Sequence, residues 1–129
     1  MLSIKILLLF LLLSFNLNFT HANEIPDEIA AVCGLKTCDL VFSKMKKFAK
    51  NGSPHAQAVL SLLYRGGYGT EVNHDLSVTY IKRAAKAGLG YAQYNLGVLF
   101  KTGYLVDKDE EEGDYWIKRS AKNRVQKSY

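Results

Sequence analysis

The sequence of 129 residues predicts an all-α fold, specifically an α/α solenoid with about five helices. Three observations support this prediction. The chain matches itself without a gap at an interval of 36 residues. Apolar residues within each copy recur at spacings of three and four, which is the period of an amphipathic helix. Helix-capping residues and glycines fall at the same positions of successive copies, where each helix is expected to begin and end.

The first segment of the chain, residues 1–22, resembles a secretory signal peptide. Lys5 supplies a positive charge, residues 6–15 are almost entirely apolar, and the small residue Ala22 follows a short polar stretch. The apolar run of about ten residues is too short to span a membrane, which takes about 20. We therefore expect cleavage after Ala22, no stable membrane span in the mature chain, and a secreted or periplasmic location.

Residues 23–36 form an N-terminal segment before the repeats, and they contain the first of the two cysteines, Cys33 and Cys38. An exported chain meets an oxidising compartment, so we predict a structural disulfide between them. The four residues between them do not match the C-x-x-C spacing of redox sites, and two cysteines do not complete a structural zinc site. The net charge of +5 is too small an excess to predict nucleic-acid binding.

Two complete copies of the repeat span residues 53–88 and 89–124, and a partial copy with only the second helix spans 37–52. Residues 125–129 form a tail. The identical pairs include Ala56/Ala92, Gln57/Gln93, Leu60/Leu96, Leu63/Leu99, Gly67/Gly103, Tyr68/Tyr104, Ile81/Ile117, Lys82/Lys118, Arg83/Arg119, Ala85/Ala121 and Lys86/Lys122.

The first helix of each complete copy is predicted over about residues 54–64 and 90–100. Ser53 is a favourable N-cap residue, and the proline after it suits the first helical position. Gly67 and Gly103 follow the last apolar residues of these helices. Because glycine readily adopts the left-handed conformation that ends a helix, we expect both helices to stop there.

The second helix of each copy is predicted to begin after Thr37, Asn73 and Asp109, which share one repeat position and are all N-cap residues. An acidic residue lies two positions further on in each copy, at the positive end of the helix dipole. Gly52 and Gly88 end two of these helices. The basic residues near their C-terminal ends are Lys46, Lys47, Lys50, Lys82, Arg83, Lys86, Lys118, Arg119 and Lys122.

The copies share the pattern A-Q-x-x-L-x-x-L-[YF]-x-x-G, then a short loop, then [YW]-x-x-[KR]-x-A. This pattern resembles the Sel-one-like repeat, a short α/α repeat of the tetratricopeptide-like superfamily. The second copy is the more similar one, from Ala92 to Ala121, and the first copy departs at Ser61, Thr70 and Asn73, where that family prefers Gly, Val and Asp. The resemblance covers about residues 37–124. It implies a right-handed stack of helix pairs that binds other proteins.

The resemblance implies a binding site on the concave face, which the first helices line. Positions that differ between the copies and lie off the predicted core are the candidates for this site. We expect the partner to be another envelope or secreted protein, bound by an adaptor that needs no cofactor or metal. The candidate binding residues are His55, Arg65, Tyr91, Tyr94 and Asn95.

An enzyme is the alternative that the resemblance leaves open. A related exported subfamily has a cysteine pair in every repeat, and some members are reported as penicillin-binding or β-lactam-hydrolysing. Neither complete copy here contains a cysteine, and no known nucleophile or metal motif is present. We therefore favour the adaptor over a cell-wall or β-lactam-directed enzyme and predict no catalytic residues.

Two further features each have a structural and a functional interpretation. The acidic run at residues 107–114 is expected at a helix start, and weak ion binding is the alternative. The nine basic residues complement the helix dipoles, or else form a ridge for an acidic partner or an anionic surface.

Repeat stacks need terminal caps, and residues 125–129 are too short to be one. We therefore predict that the last helix pair docks on a partner or on a second copy of the chain.

Overall fold

A computed structural model describes the backbone of residues 27–126 and the side chains of residues 38–123. The chain divides into two units, Met1–Ala31 and Val32–Tyr129, and only the last five residues of the first unit are described. The described residues form five helices and no strand. The helices are α1 (Asp27–Lys50), α2 (Pro54–Gly66), α3 (His74–Lys86), α4 (Gly90–Thr102) and α5 (Glu110–Gln126). The predicted all-α repeat fold is confirmed.

The predicted ends of α2 and α4 are confirmed by their backbone geometry. Ser53 caps α2, because its side-chain oxygen accepts a hydrogen bond from the Ala56 amide at 3.3 Å. Gly67 and Gly103 end the two helices with φ angles of 71° and 69°, in the left-handed region. Each glycine amide donates back to a carbonyl in the last turn, which satisfies an acceptor that the helix leaves open.

The starts of α3 and α5 also follow the prediction. Asn73 accepts a hydrogen bond from the Leu76 amide, and Asp109 accepts one from the Glu112 amide, each at 2.9 Å. The loops before these helices are held in the same way in both repeats, since the Asn73 amide donates to the Tyr64 carbonyl and the Asp109 amide to the Phe100 carbonyl. The two copies therefore share their turn geometry as well as their sequence pattern.

The predicted start of the first helix is wrong. Thr37 is not an N-cap, because α1 begins ten residues earlier, at Asp27, and passes through it. In the complete copies the N-cap follows a glycine-containing loop, such as residues 66–70. The equivalent residues 30–34 read Ala-Ala-Val-Cys-Gly, and alanine at their start favours the helix over a loop. A capping residue does not mark the start of a helix when the residues before it are themselves helical.

The core lies between α2, α3, α4 and α5. Leu60, Leu63 and Leu96 are almost fully buried, and Ile81 and Trp116 lie within the same core, as the repeat pattern predicts. Tyr80 and Ile117 hold the repeat positions equivalent to Trp116 and Ile81, but both are only half-buried. Small residues separate the large ones, since Ala84, Ala85 and Ala92 are completely buried. These alanines let the helices approach closely and bring successive repeats into one core.

Candidate functional site

The predicted binding residues occupy one side of α2 and α4, the first helices of the two complete repeats. His55 and Tyr91 hold the same repeat position near the start of each helix. Tyr91, Tyr94 and Asn95 follow one another at the spacing that places side chains on one face. Tyr91 and Tyr94 are 49% and 45% exposed, and Asn95 is half-buried. The tyrosine pair is thus exposed aromatic surface on α4.

The two helices do not contribute equally to this surface. Ala58 and Leu62 lie between His55 and Arg65 on α2, and both are buried. Ala58 belongs to the same core cluster as Ile81. The accessible surface of α2 on this side is therefore limited to His55, Arg65 and the half-buried Val59. On α4 the accessible surface is continuous, so the structure concentrates the candidate site on the tyrosines.

Two further tyrosines, Tyr104 and Tyr115, are exposed to a similar degree, 51% and 49%. Tyr104 lies in the loop after α4, and Tyr115 lies on α5. Sequence reasoning did not select either residue. A signal existed for Tyr115, because its equivalent in the first repeat is the small polar Thr79. Tyr104 carried no such signal, since its equivalent is the identical Tyr68.

Side chains of the acidic run at residues 107–114 stabilise the start of α5. Glu112 accepts a hydrogen bond from the Trp116 indole at 2.8 Å, in addition to the cap made by Asp109. Lys101 pairs with Asp114 at 2.6 Å, which raises the pKa of Lys101. Within residues 38–123, no group of three metal-ligating side chains is arranged to hold an ion. The contacts of Asp109, Glu112 and Asp114 are therefore those of a helix start, which agrees with the structural interpretation of the acidic run.

Several of the nine basic residues lie over aromatic rings. Arg119 is 5.6 Å from the centre of the Trp116 ring, and Arg83 is 5.5 Å from that of Tyr80. Lys46 and Lys82 lie over Phe42 and Phe100 in the same manner. Their charges remain accessible while their stems cover the outer edge of the aromatic residues. The basic residues thus pack locally and still present positive charge to solvent.

Two predictions fall partly or wholly outside the described residues. The signal peptide, residues 1–22, lies outside them. Cys38 is half-buried in α1, but the side chain of Cys33 is not among those described, so the Cys33–Cys38 disulfide stays a prediction. None of the helices between residues 27 and 126 is both long and apolar enough to cross a membrane.

The helix pairs, their glycine ends and the core that continues across repeats define an α/α-repeat protein. The Sel1 repeat model matches residues 54–89 and 90–124, which is more than half of the chain. The chain therefore belongs to the Sel1 repeat family, whose repeats generally serve as scaffolds for protein interactions. No curated protein is significantly similar to it in sequence.

Two solved structures are similar to the chain. A Sel1 repeat protein from Oxalobacter formigenes is 28% identical with a TM-score of 0.63, over 68% of this chain and 67% of that one. A protective antigen present in uropathogenic Escherichia coli strains, which displays an SLR fold, is 29% identical with a TM-score of 0.60. That match covers 62% of this chain but only 17% of the antigen, which is much longer.

Proposed function

We propose that the chain is an exported adaptor whose first-helix face binds a segment of another envelope or secreted protein. The observation that carries this proposal is the exposed pair Tyr91 and Tyr94 on α4. Tyrosine forms large, rigid contacts with little loss of side-chain entropy, and it is enriched at protein interfaces. Asn95 adds hydrogen-bonding groups beside the pair. The scaffold role of the Sel1 repeat supports the adaptor over the enzymatic alternative.

The test is capture of the partner from the native compartment. The tagged chain is compared with a Tyr91→Ala, Tyr94→Ala, Asn95→Ala variant of equal helicity. We expect the variant to lose the protein that the parent holds. The matched control is Tyr104→Ala, which removes an equally exposed tyrosine from a loop. If both variants lose the captured protein, or if neither variant does, the binding surface lies elsewhere.

Export is the second part of the proposal. A chain with a cleavable leader should be recovered outside the cytoplasm and should begin at Asn23. Cell fractionation and N-terminal sequencing of the protein, tagged at its C-terminus, test this directly. A chain that keeps Met1 and stays in the cytoplasm would contradict both the location and the expected partner class.

We also propose self-association through the outer face of the last repeat. In the first repeat, Val78 and Thr79 of α3 line a cavity together with Leu105 and Val106 of the next loop. The equivalent surface of α5 is lined only by residues of α5 itself, among them Tyr115. Sedimentation of the parent and of Tyr115→Ala tests this. We expect a dimer that the variant weakens, and a parent that sediments as a monomer would exclude self-association.

A further inference from the structure

One side of α3 packs within its own repeat, against α2. Ser77 of α3 forms a hydrogen bond with Ser61 of α2. One and two turns further along α3, Ile81 and Ala84 are buried in the core. These three positions of α3 therefore mark the side of a second helix that another helix normally covers.

The equivalent side of α1 is apolar and accessible. Val41, Met45 and Phe48 hold the three corresponding positions. Phe48 is 49% exposed, whereas its equivalents in both complete repeats are completely buried. Val41 and Met45 are half-buried, and Leu40 beside them is exposed. Large apolar side chains that are exposed together indicate an interaction surface. We call Leu40, Val41, Lys44, Met45 and Phe48 the α1 face.

The charge at the α1 face is positive. Lys44 lies within the face and Lys47 follows it by one turn, and both side chains are exposed. The nearest acidic residue, Asp39, holds the repeat position of Asp75, which lines the cavity between α3 and the loop after α4. Asp39 therefore lies on another side of α1. A partner for the α1 face should combine apolar or aromatic groups with negative charge.

The outer surface of α5 has this composition. It is a concave surface of about 530 Å³, and we call its lining residues the α5 face: Glu110, Glu111, Asp114, Tyr115 and Lys118. Three carboxylates against one ammonium group give the lining a negative charge, although Glu110 and Asp114 also pair with lysines outside it. Tyr115 supplies an exposed aromatic ring, and Arg119 donates a hydrogen bond to its hydroxyl. The α5 face thus complements the α1 face in both charge and aromatic surface.

Each face is unfavourable for a contact with its own kind. Two α1 faces would bring lysines together, and two α5 faces would bring carboxylates together. An α1 face against an α5 face joins opposite charges and lets Phe48 pack near Tyr115. We propose that two copies of the chain bind head to tail, with the α1 face of one copy on the α5 face of the other.

This inference rests on the self-association proposed above and specifies which surfaces meet. The contact is heterologous, because it joins two different faces. A dimer formed in this way keeps one accessible face of each kind, so further copies can add as the concentration rises. Neither face contains Tyr91 or Tyr94, so the capture experiment tests a separate surface.

The test is sedimentation velocity on two variants, each with one altered face. Phe48→Glu removes the aromatic ring of the α1 face and adds negative charge, and Tyr115→Lys does the reverse at the α5 face. Each variant alone should associate about tenfold more weakly than the parent, because every contact would include an altered face. An equimolar mixture should recover a dimer, since each variant supplies the unaltered face that the other lacks.

The matched control is Lys86→Glu, which changes an exposed charge on α3 outside both faces. It should leave association unchanged, and added salt should weaken association of the parent. The milder pair Phe48→Ala and Tyr115→Ala should give the same pattern with smaller effects. Circular dichroism establishes that each variant keeps the helicity of the parent, and the alanine pair replaces any charged variant that does not.

The outcomes separate this inference from the proposed self-association. If Tyr115→Lys is impaired while Phe48→Glu associates like the parent, two α5 faces meet, and the head-to-tail contact is wrong although the chain self-associates. A mixture that associates no better than its two components also overturns the proposal. A parent that stays monomeric at every concentration removes both proposals together.

Discussion

The hydroxyl oxygens of Ser61 and Ser77 lie 3.2 Å apart in the buried contact between α2 and α3. The same repeat positions in the second copy are Gly97 and Gly113, whose backbones approach closely. The two helices of each repeat therefore cross closely by different means. In the first repeat two small side chains share a hydrogen bond, and in the second repeat neither position has a side chain. Ser61 is also a position where the first copy departs from the family pattern.

We expect Ser61→Ala to destabilise the chain by about 1–2 kcal/mol, because it leaves the buried Ser77 hydroxyl without its partner. The Ser61→Ala, Ser77→Ala double variant should cost less than the sum of the two single variants. Urea unfolding of all three proteins measures the coupling. Additive losses would show that the two hydroxyls do not interact.

Ser120 gives the opposite expectation for the same substitution. It is completely buried, and no protein group among the described residues pairs with its hydroxyl. The equivalent residue of the first repeat is Ala84, so the site accommodates a methyl group. Ser120→Ala should therefore leave the free energy of unfolding unchanged or raise it by up to about 1 kcal/mol. A clear loss of stability in urea would mean that the hydroxyl has a partner.

Gly97→Ala should force α4 away from α5. An added Cβ would lie 2.8 Å from the Gly113 carbonyl oxygen and 2.7 Å from Ile117, both closer than packed atoms allow. We expect a loss of about 2–3 kcal/mol in the free energy of unfolding. Gly90→Ala is the matched control, because its nearest neighbour would be at 3.7 Å. That variant should be neutral or slightly stabilising, and a similar loss in both would refute the close approach at Gly97.

Gly69→Ala tests the contact between the loop after α2 and the backbone of α1. Gly69 has a φ of 67°, and an added Cβ would overlap the Cys38 carbonyl. Gly88 has a φ of 93° but nothing within 4 Å, so Gly88→Ala isolates the backbone strain, about 1–2 kcal/mol. Gly69→Ala should cost clearly more in thermal unfolding. Equal costs would mean that the loop can move away from α1.

Glu110 should titrate at a lower pH than an unpaired glutamate. A hydrogen bond from Lys108 at 2.8 Å, together with its charge, lowers the pKa of Glu110. Because the pKa is lower in the folded chain, this pair favours folding above the unfolded pKa, and the effect disappears as the pH falls through the folded pKa. Lys108→Ala should raise the Glu110 pKa in a carboxyl NMR titration, and Lys86→Ala should not. The pair is exposed, so the melting temperature should hardly change.

The sequence alone was sufficient for the repeat, its helix pairs and most of their ends. Ser53, Asn73 and Asp109 are caps that act through local contacts within one turn, so their sequence signals were enough. Thr37 misled the prediction because it has the same local signal without the loop that precedes the other caps. Whether a helix starts at a capping residue depends on the residues before it as well as on the cap.

The candidate site was predictable only in part. Repeat differences selected Tyr91 and Tyr94 correctly as accessible residues, but they could not show that the core takes up Ala58 and Leu62 between His55 and Arg65. Burial depends on packing against neighbouring helices, which a single copy of the pattern does not encode. The difference between the hydrogen bonds of Gln57 and Gln93 was also missed. Asn51 and Asn123 share a repeat position with Ala87, and the effect of that difference appears only when the glutamine contacts are known.

Gln57 and Gln93 hold one repeat position, and each donates to the end of the preceding helix, at Ala49 and Ala85. Their unequal contacts imply that the stack should not open uniformly. Gln93 is held at both ends of its side chain, whereas Gln57 keeps only one long hydrogen bond, so α1 is tied to α2 more weakly than α3 is tied to α4. Local fluctuations should therefore separate α1 more often than they separate the two complete repeats. Amides of α1 would then exchange with solvent hydrogen faster than those of α3.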